Sequence, residues 1–352
     1  MTVCRVAYVV NTFPKLSETF IIGELAELRR RGVDLRVLSL RPPEETMCHE
    51  AVRTAGLLDR TSYDRRAFDA ELESFQAQLV HAHFATEPTA AARAIAAERG
   101  LPFTFTAHGY DVYRRPPADF AQRAEAAASI ITVSEANRRC ITETFRVPRG
   151  RVQVIPCGVD TDWFSPGTPD SDPPLVVCVA RLREVKRLDL LLRACAIVRD
   201  RKQAFGCVIV GEGPERAALE SLRADLQLER DVDMPGAAEQ SSVRTWWRRA
   251  SVAVLSSRSE GMPVSLMEAA SCGVAAVATD VGGVSELVEH GVTGLVVPRG
   301  DVDQLAAAIQ ELLVDDCRRA AMGASARRRA VRRFSRTAQI DRLLEVWSSV
   351  VS

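Results

Sequence analysis

Short, nearly uninterrupted apolar runs recur along the whole chain, separated by longer stretches of helical period. In the first half they are VCRVAYVV (3–10), DLRVLSL (34–40), QLVHAHF (78–84), PFTFTAH (102–108), SIITVS (129–134) and VQVIP (152–156). In the second half they are LVVCVA (175–180), GCVIVG (206–211), RDVDM (230–234), SVAVLSS (251–257), VAAVAT (274–279) and GLVV (294–297). A strand that is apolar on both faces must be covered on both, and strands alternating with helices define a parallel sheet. The pattern therefore predicts an α/β fold of two doubly wound, Rossmann-like domains. Between the two series lies SPGTPDSDPP (165–174), whose Pro, Ser, Gly and Asp content reads as a linker. That sets one domain at 1–164 and the other at 165–334, in keeping with a length of 352 residues. Ligands of open α/β sheets bind outside the carboxyl ends of the strands, so two such sheets facing each other would make a deep cleft. The tail SRTAQIDRLLEVW (335–347) is an amphipathic helix that either caps the second domain or crosses back to the first; we assign 335–352 to the first.

Residues 17–31 read as a helix with an apolar stripe of Phe20, Ile21, Leu25 and Leu28, interrupted by one polar residue, Glu24, with Ser17 as N-cap. The stretch 43–77 is polar and suggests an irregular loop with one helix. Formal net charge is zero, which argues against a nucleic-acid binder. Nine cysteines show no CxxC pair, and Cys4, Cys178 and Cys207 fall in apolar runs, so buried free thiols in a reducing compartment are expected. The first residues are too short and strand-like for a signal peptide, and no apolar run reaches the roughly 18 residues of a membrane helix. A cytoplasmic protein is expected, at most at the inner face of the membrane. Arg29, Arg30 and Arg31, or Arg114 and Arg115, leave weak peripheral contact open, although a solvated basic face explains them as well.

The chemistry concentrates in two places of the second half. In SSRSEGMPVSLME (256–268), Glu260 lies in a loop after a strand, Pro263 suits the first position of a helix, and Glu268 follows inside that helix, which Gly273 ends. A helix N-terminus with free N–H groups suits a diphosphate, and two flanking carboxylates suit hydroxyls on either side of it. A solvated loop acid and a surface helix residue are the plainer alternatives. In VARLREVKRLDLLL (179–192), Arg181 follows a strand and Lys186 comes five residues later, two cations fit to clamp a diphosphate or merely to cover a surface. GEGPER (211–216) lacks full dinucleotide-binding spacing and reads as a strand-end loop. His108 follows an apolar strand at the carboxyl end of the first sheet; a buried structural histidine is its alternative reading. His81 and His83 point to the same side of a strand, no third ligand is evident, and both are read as structural.

The second half resembles the nucleotide-sugar domain of the GT4 family of retaining glycosyltransferases, which have the GT-B fold. The resemblance rests on ARLREVKRLDLLL, with its Arg-x4-Lys spacing, and on residues 259–297, with Glu-x7-Glu and a glycine-rich stretch. VIPCGVDTDWFSP (154–166), FTAHGYD (105–111) and TFPKLSETFIIGEL (12–25) agree, the last resembling a subgroup acting in exopolysaccharide and glycoconjugate synthesis. The resemblance implies that Arg181 and Lys186 bind the diphosphate and stabilise the leaving group. It implies that Glu260 contacts the transferred sugar and Glu268 the ribose hydroxyls. Gly261, Met262, Pro263 and Val264 would line the phosphate site, residues 233–236 including Asp233 and Gly236 would hold the base, and His108 would face the sugar. Where many relatives carry adjacent glycines after the first strand, Leu16 and Ser17 stand here; Ser17 would offer a hydroxyl to the donor, or its loop would serve the acceptor. Cys157 replaces a common asparagine, altering a turn rather than the chemistry.

The resemblance also implies a donor that is a nucleotide-diphosphate sugar, a UDP-sugar before others, and a saccharide, lipid-linked saccharide or aminocyclitol-type acceptor. A nucleotide-sugar 2-epimerase and a non-catalytic sugar-nucleotide-binding subunit are the rival readings. No cofactor is expected, because the nucleotide sugar is a substrate. Three Asp-x-Asp matches, at 160–162, 231–233 and 301–303, each have an ordinary explanation, Asp301 as an N-cap among them, so no metal site is expected.

Overall fold

A computed structural model describes residues 3–44, 48–167 and 173–351. The chain divides into two compact units, Met1–Gly158 with Arg336–Ser352, and Val159–Ser335. The division falls upstream of the Pro/Ser-rich stretch at 165–174, of which residues 168–172 lie outside the described residues.

The first unit holds seven strands: β1 (Arg5–Thr12), β2 (Asp34–Arg41), β3 (Thr61–Ser62), β4 (Leu79–His83), β5 (Phe103–Ala107), β6 (Ser129–Thr132) and β7 (Val152–Val154). All pair in parallel, in the order β3-β2-β1-β4-β5-β6-β7. The two-residue period of a strand sends alternate side chains of β1 into different cores. Val6, Tyr8 and Val10 join Ile21, Leu25 and Leu28 of the Thr19–Arg30 helix. Ala7 and Val9 pack on the opposite face with Val80, Ala82 and Phe105. The C-terminal helix, Arg336–Val351, adds Ile340, Leu343 and Trp347 to the Tyr8 side of the first unit.

The second unit has six parallel strands: β8 (Leu175–Val179), β9 (Gly206–Val210), β10 (Val232–Gly236), β11 (Val252–Leu255), β12 (Ala275–Thr279) and β13 (Gly294–Val297). Their order is β10-β9-β8-β11-β12-β13. One cluster built on β8, β9 and the helix Leu188–Asp200 continues through β12 to the helix Val302–Val314. Asp301 caps that last helix, its carboxylate accepting from the Gln304 N–H at 2.9 Å, as its sequence position predicts.

Several local expectations change. The first helix starts at Thr19 after Glu18, and Ser17 is not its N-cap. The long helix expected to begin at Pro263 starts at Val264, with Pro263 in the cap position. The stretch 43–77 holds two helices, Glu50–Thr54 and Phe68–Phe75, and the edge strand β3, with residues 45–47 outside the described residues. Cys4 is exposed because it precedes β1, whereas Cys178 and Cys207 are buried; each is a free thiol. No helix among the described residues is long and apolar enough to cross a membrane.

Candidate functional site

In a doubly wound sheet the crevice opens where the strand order reverses. In the second unit that point lies between β8 and β11. The loop leaving β8 carries Arg181, then a 3-10 turn Glu184–Lys186; the loop leaving β11 carries Ser257 and Glu260. The two loops meet there. Lys186 Nζ donates to Glu260 Oε1 at 2.5 Å, and Ser257 Oγ donates to the same oxygen at 2.6 Å. The pair is mostly sheltered, with side-chain exposures of 20% and 11%. Ser256 Oγ reaches the carbonyls of Lys186 and Arg187 at 3.0 and 2.9 Å, and the Arg258 N–H donates to Val185 O at 2.7 Å, so the loops are sewn together by backbone as well as charge. Arg181 is exposed at the same sheet end.

Glycines explain how the loops fit. A Cβ on Gly282 would lie 1.8 Å from the Glu260 carbonyl oxygen, at φ +53, so this position is closed to any side chain. The Gly283 N–H then donates to Gly261 O at 3.1 Å. Gly211 and Gly213 do the same for the Arg181 loop, where a Cβ would lie 1.9 Å from Ala180 O and 2.3 Å from Leu182 O. GEGPER is thus a strand-end loop whose glycines permit backbone contact with the loop that presents Arg181.

The helix Val264–Ser271 begins where the Glu260 loop ends; the Leu266 and Met267 N–H groups donate to Pro263 O at 3.2 and 3.3 Å, which leaves the Val264 and Ser265 N–H groups ahead of the helical bonding pattern. Gly261, Met262 and Pro263 are buried and Val264 half-buried. Glu268 is not a surface residue: at 5% exposure its carboxylate accepts from Trp247 Nε1 at 3.4 Å and from Gln240 Nε2 at 3.5 Å. Gln240 opens the helix that follows β10, so Glu268 turns toward the β10 end of the sheet. There Asp233 is exposed and Gly236 adopts φ +95 beside Arg216 and Glu212.

The switch point of the first unit lies between β1 and β4. His108 sits just past β5, 7% exposed, its ring between Phe20 and Phe84 at centroid distances of 4.8 and 4.7 Å. Phe84 directly follows β4 with φ +71, an uncommon conformation for a bulky residue. Asp111 closes the turn, accepting the N–H of Ala85 at 2.5 Å and of His108 at 2.9 Å. Full burial raises the Asp111 carboxyl to about 7 despite these bonds. Burial, and next the neighbouring His83, holds His108 well below the usual imidazole range. Ser17 is half-buried in the loop after β1, whose Leu16 carbonyl lies 2.8 Å from His49 Nε2.

His81 and His83 do have a third potential ligand, contrary to the sequence reading. Glu24, His81 and His83 place one donor atom each within 4.8 Å of one another. The helix carrying Glu24 is adjacent in space but not in sequence, which hid the grouping. His81 turns Nδ1 to Thr104 Oγ1 at 2.8 Å and Nε2 to Thr106 Oγ1 at 3.2 Å, so both its nitrogens are engaged within the sheet. Cys157 borders a small cavity that Glu24, His83 and His108 also line, and burial, then Glu24, pushes its thiol up to about 12.

Comparison with known proteins places these features in a family. The Glycosyl transferases group 1 family matches residues 159–329 and Glycosyltransferase Family 4 matches residues 17–163. The chain belongs to the GT4-like glycosyltransferases of the GT-B fold. It is 30% identical to a D-inositol 3-phosphate glycosyltransferase of Frankia alni, over 80% of this chain and 76% of that protein. It is 33% identical to a GDP-mannose-dependent alpha-(1-6)-phosphatidylinositol monomannoside mannosyltransferase of Mycolicibacterium smegmatis, spanning 63% of this chain but only 62% of that relative's length. A putative colanic acid biosynthesis glycosyltransferase of Escherichia coli, WcaL, is 27% identical over 89% of this chain and 92% of its own. Among solved structures, a glycosyltransferase from Rickettsia africae has a TM-score of 0.83 at 16% identity, covering 100% of this chain and 99% of its own. Anabaena Alr3699/HepE in complex with UDP has a TM-score of 0.80 at 19% identity, covering 98% and 100%; both establish the fold.

Proposed function

We propose that the protein transfers a hexose or N-acetylhexosamine, with retention, from a nucleotide-diphosphate sugar to a hydroxyl of a saccharide, lipid-linked saccharide or aminocyclitol-type acceptor. The observation that carries this reading is the Lys186–Glu260–Ser257 cluster at the switch point of the second unit, beside Arg181 and a helix N-terminus. The cluster is a place where cation and carboxylate are both available at once. A diphosphate competes for the Lys186 ammonium and for Arg181; the Glu260 carboxylate then turns to sugar hydroxyls. The acceptor hydroxyl forms the new bond to the anomeric carbon as the bond to the diphosphate oxygen breaks, and that oxygen takes the hydroxyl proton. Arg181, Lys186 and the N-terminus of Val264–Ser271 stabilise the departing charge, which is why a divalent metal is not required in this scheme. Glu268 meets the ribose by exchanging its long contact with Gln240, and the backbone near Asp233 and Gly236 meets the base.

Acceptor binding falls to the first unit, around His108 and the loop of Ser17. The relatives named above are, by name, a D-inositol 3-phosphate glycosyltransferase, a phosphatidylinositol monomannoside mannosyltransferase and a putative colanic acid biosynthesis glycosyltransferase, which supports a polyol or saccharide hydroxyl as acceptor. One relative is named for GDP-mannose and one fold neighbour is in complex with UDP, so both nucleotides enter the test, with UDP favoured. In a thermal-shift series, a diphosphate present at one hundred times its dissociation constant adds about 2.7 kcal/mol of stability. UDP or GDP is expected to raise the melting temperature. Saturating UDP, GDP, ADP and TDP that all leave the curve unmoved would remove the basis of the reading. Transfer assays with the stabilising donor then identify the acceptor, and NMR of the product anomer reports retention.

A further inference from the structure

The buried polar residues beneath His108 form one chain of hydrogen bonds. His108 Nε2 lies 3.0 Å from His83 Nδ1, with the two rings stacked at 5.2 Å between centroids. The other nitrogen of His83, Nε2, lies 3.0 Å from both Glu24 Oε1 and Tyr8 OH, and Tyr8 OH also contacts Glu24 Oε1. Glu24 Oε2 accepts from Gln339 Nε2 at 2.5 Å, and Gln339 Oε1 accepts from the Gly158 N–H at 2.8 Å. Glu24 and His83 are 3% and 1% exposed, and they border the same small cavity as Phe20, His108, Cys157 and Gln339.

With Glu24 as a carboxylate and His83 neutral, the donor and acceptor inventory assigns this chain one proton arrangement. The Gly158 N–H can only donate, so the Gln339 carbonyl faces it and the Gln339 amide group faces Glu24. A carboxylate can only accept, so in the arrangement we assign Glu24 receives bonds from Gln339, Tyr8 and His83. His83 then carries its proton on Nε2, with the Tyr8 oxygen at 3.0 Å as a second acceptor for it. A neutral His83 then has a lone pair on Nδ1, so His108 must donate to it from Nε2. The lone pair of His108 is left on Nδ1. Full burial disfavours a second proton on His108.

We propose that Glu24 and His83 are positioning residues that lock His108 in the Nε2–H tautomer, so that its Nδ1 accepts a hydrogen bond from a hydroxyl of the saccharide-type substrate bound at the first unit. The proposal rests on the functional reading above for the identity of that hydroxyl, but not for the tautomer. Gly158, at the end of the first unit's continuous segment, and Gln339, in its returning helix, both belong to the lock. Fixing the tautomer through a second residue's carboxylate has the same logic as the aspartate that orients a catalytic histidine in serine hydrolases.

The test uses the full chain labelled with 15N at its histidine rings. There are five histidines, and single substitutions assign each signal. Protonated and unprotonated ring nitrogens are well separated in such spectra, and the measurement needs no substrate. Wild type is expected to show His108 protonated at Nε2 and bare at Nδ1. In Glu24→Gln, a carboxamide can donate to His83 Nε2 and reverse both rings, so His108 is expected to shift toward Nδ1–H. Transfer by that variant is expected to fall by about tenfold or more in kcat, with a smaller change in nucleotide affinity, as the loss of one properly directed hydrogen bond implies. A wild-type His108 protonated at Nδ1 overturns the proposal without any variant being needed. So does a folded Glu24→Gln that keeps the wild-type tautomer, or one that switches tautomer with no loss of transfer. A chain that shows the stated tautomer but transfers sugar from no donor supports the lock and counts against the functional reading alone.

Discussion

Replacing Gly282 by alanine tests how closely Glu260 must be held. Its Cβ would stand 1.8 Å from the Glu260 carbonyl oxygen, where contacts below 3.0 Å are not tolerated and ordinary contact begins at 3.4 Å. The Glu260 loop, not a flexible side chain, must yield, and the retreat is roughly 1.2–1.6 Å. The φ of +53 adds a strain of about 1–2 kcal/mol for a non-glycine residue. A displacement of about 1 Å in a positioning group costs on the order of 100-fold in rate, so kcat/KM is expected to drop by about that factor while the unit still folds. Gly291→Ala supplies the control: it has φ +77 but nothing within 4 Å of the new Cβ. It is expected to lose about 1 kcal/mol, or about 2–4 °C of melting temperature for a unit of this size, with transfer unchanged. The assays are donor-dependent transfer kinetics and thermal melting of both variants. If Gly282→Ala keeps near-normal kcat/KM, or if Gly291→Ala loses as much, the claim that backbone approach at Gly282 positions Glu260 is refuted.

Lys186→Ala is expected to cut turnover by roughly 100-fold or more while the protein stays folded, because it removes a stabiliser of the leaving diphosphate; a rate near wild type rejects its assignment. Transfer is expected to continue in excess EDTA, with Mn²⁺ or Mg²⁺ changing the rate by less than about threefold, around 0.65 kcal/mol of barrier. EDTA inactivation reversed by Mn²⁺ refutes this, and Asp231 and Asp233 would be the first ligands to examine. For Asp111, the folded carboxyl titrates near about 7 against 3.8 for the free group. The folded state holds this proton longer, so the stabilisation it brings is complete below about pH 4 and is lost as pH rises toward and through about 7. The difference in melting temperature between wild type and Asp111→Asn is expected to move against wild type across that interval and level off above it; a flat difference, or the opposite slope, overturns it.

What could be read from sequence follows from local periodicity. Continuous apolar runs such as 175–180 and 251–257 stand as strands because burial on both faces leaves a one-dimensional trace. The Asp301 cap and the stop at Gly273, with φ +77, depend only on neighbouring residues and were legible for the same reason. Arg181, Lys186, Glu260 and the strand ends that carry them could be placed before the structure, because a motif at a strand's carboxyl end fixes its own position. Their pairing could not: Lys186 and Glu260 are 74 residues apart and meet only because β8 and β11 are neighbours in the sheet.

Single polar residues were harder. Glu24 reads as a lapse in an apolar stripe, and nothing nearby announces that it is buried against His83 and Gln339. A buried carboxylate reveals itself by its partners, and Gln339 lies 315 residues away. Pattern also misplaced Ser17, since Ser is an N-cap only if the backbone turns there, and the chain turns at Glu18 instead. The end of the first unit's continuous segment has no compositional mark: it lies where Gly158 packs against Arg336, and a Cβ there would come within 2.6 Å of the Arg336 Cα. The sequence by itself determined the strands, the helices and the charged residues at their ends, because each is set by neighbours within a few positions. Only the tertiary structure decided which strand ends adjoin, which helix returns to the first unit, and which buried side chains stand against His108, because those depend on contacts that chain distance does not constrain.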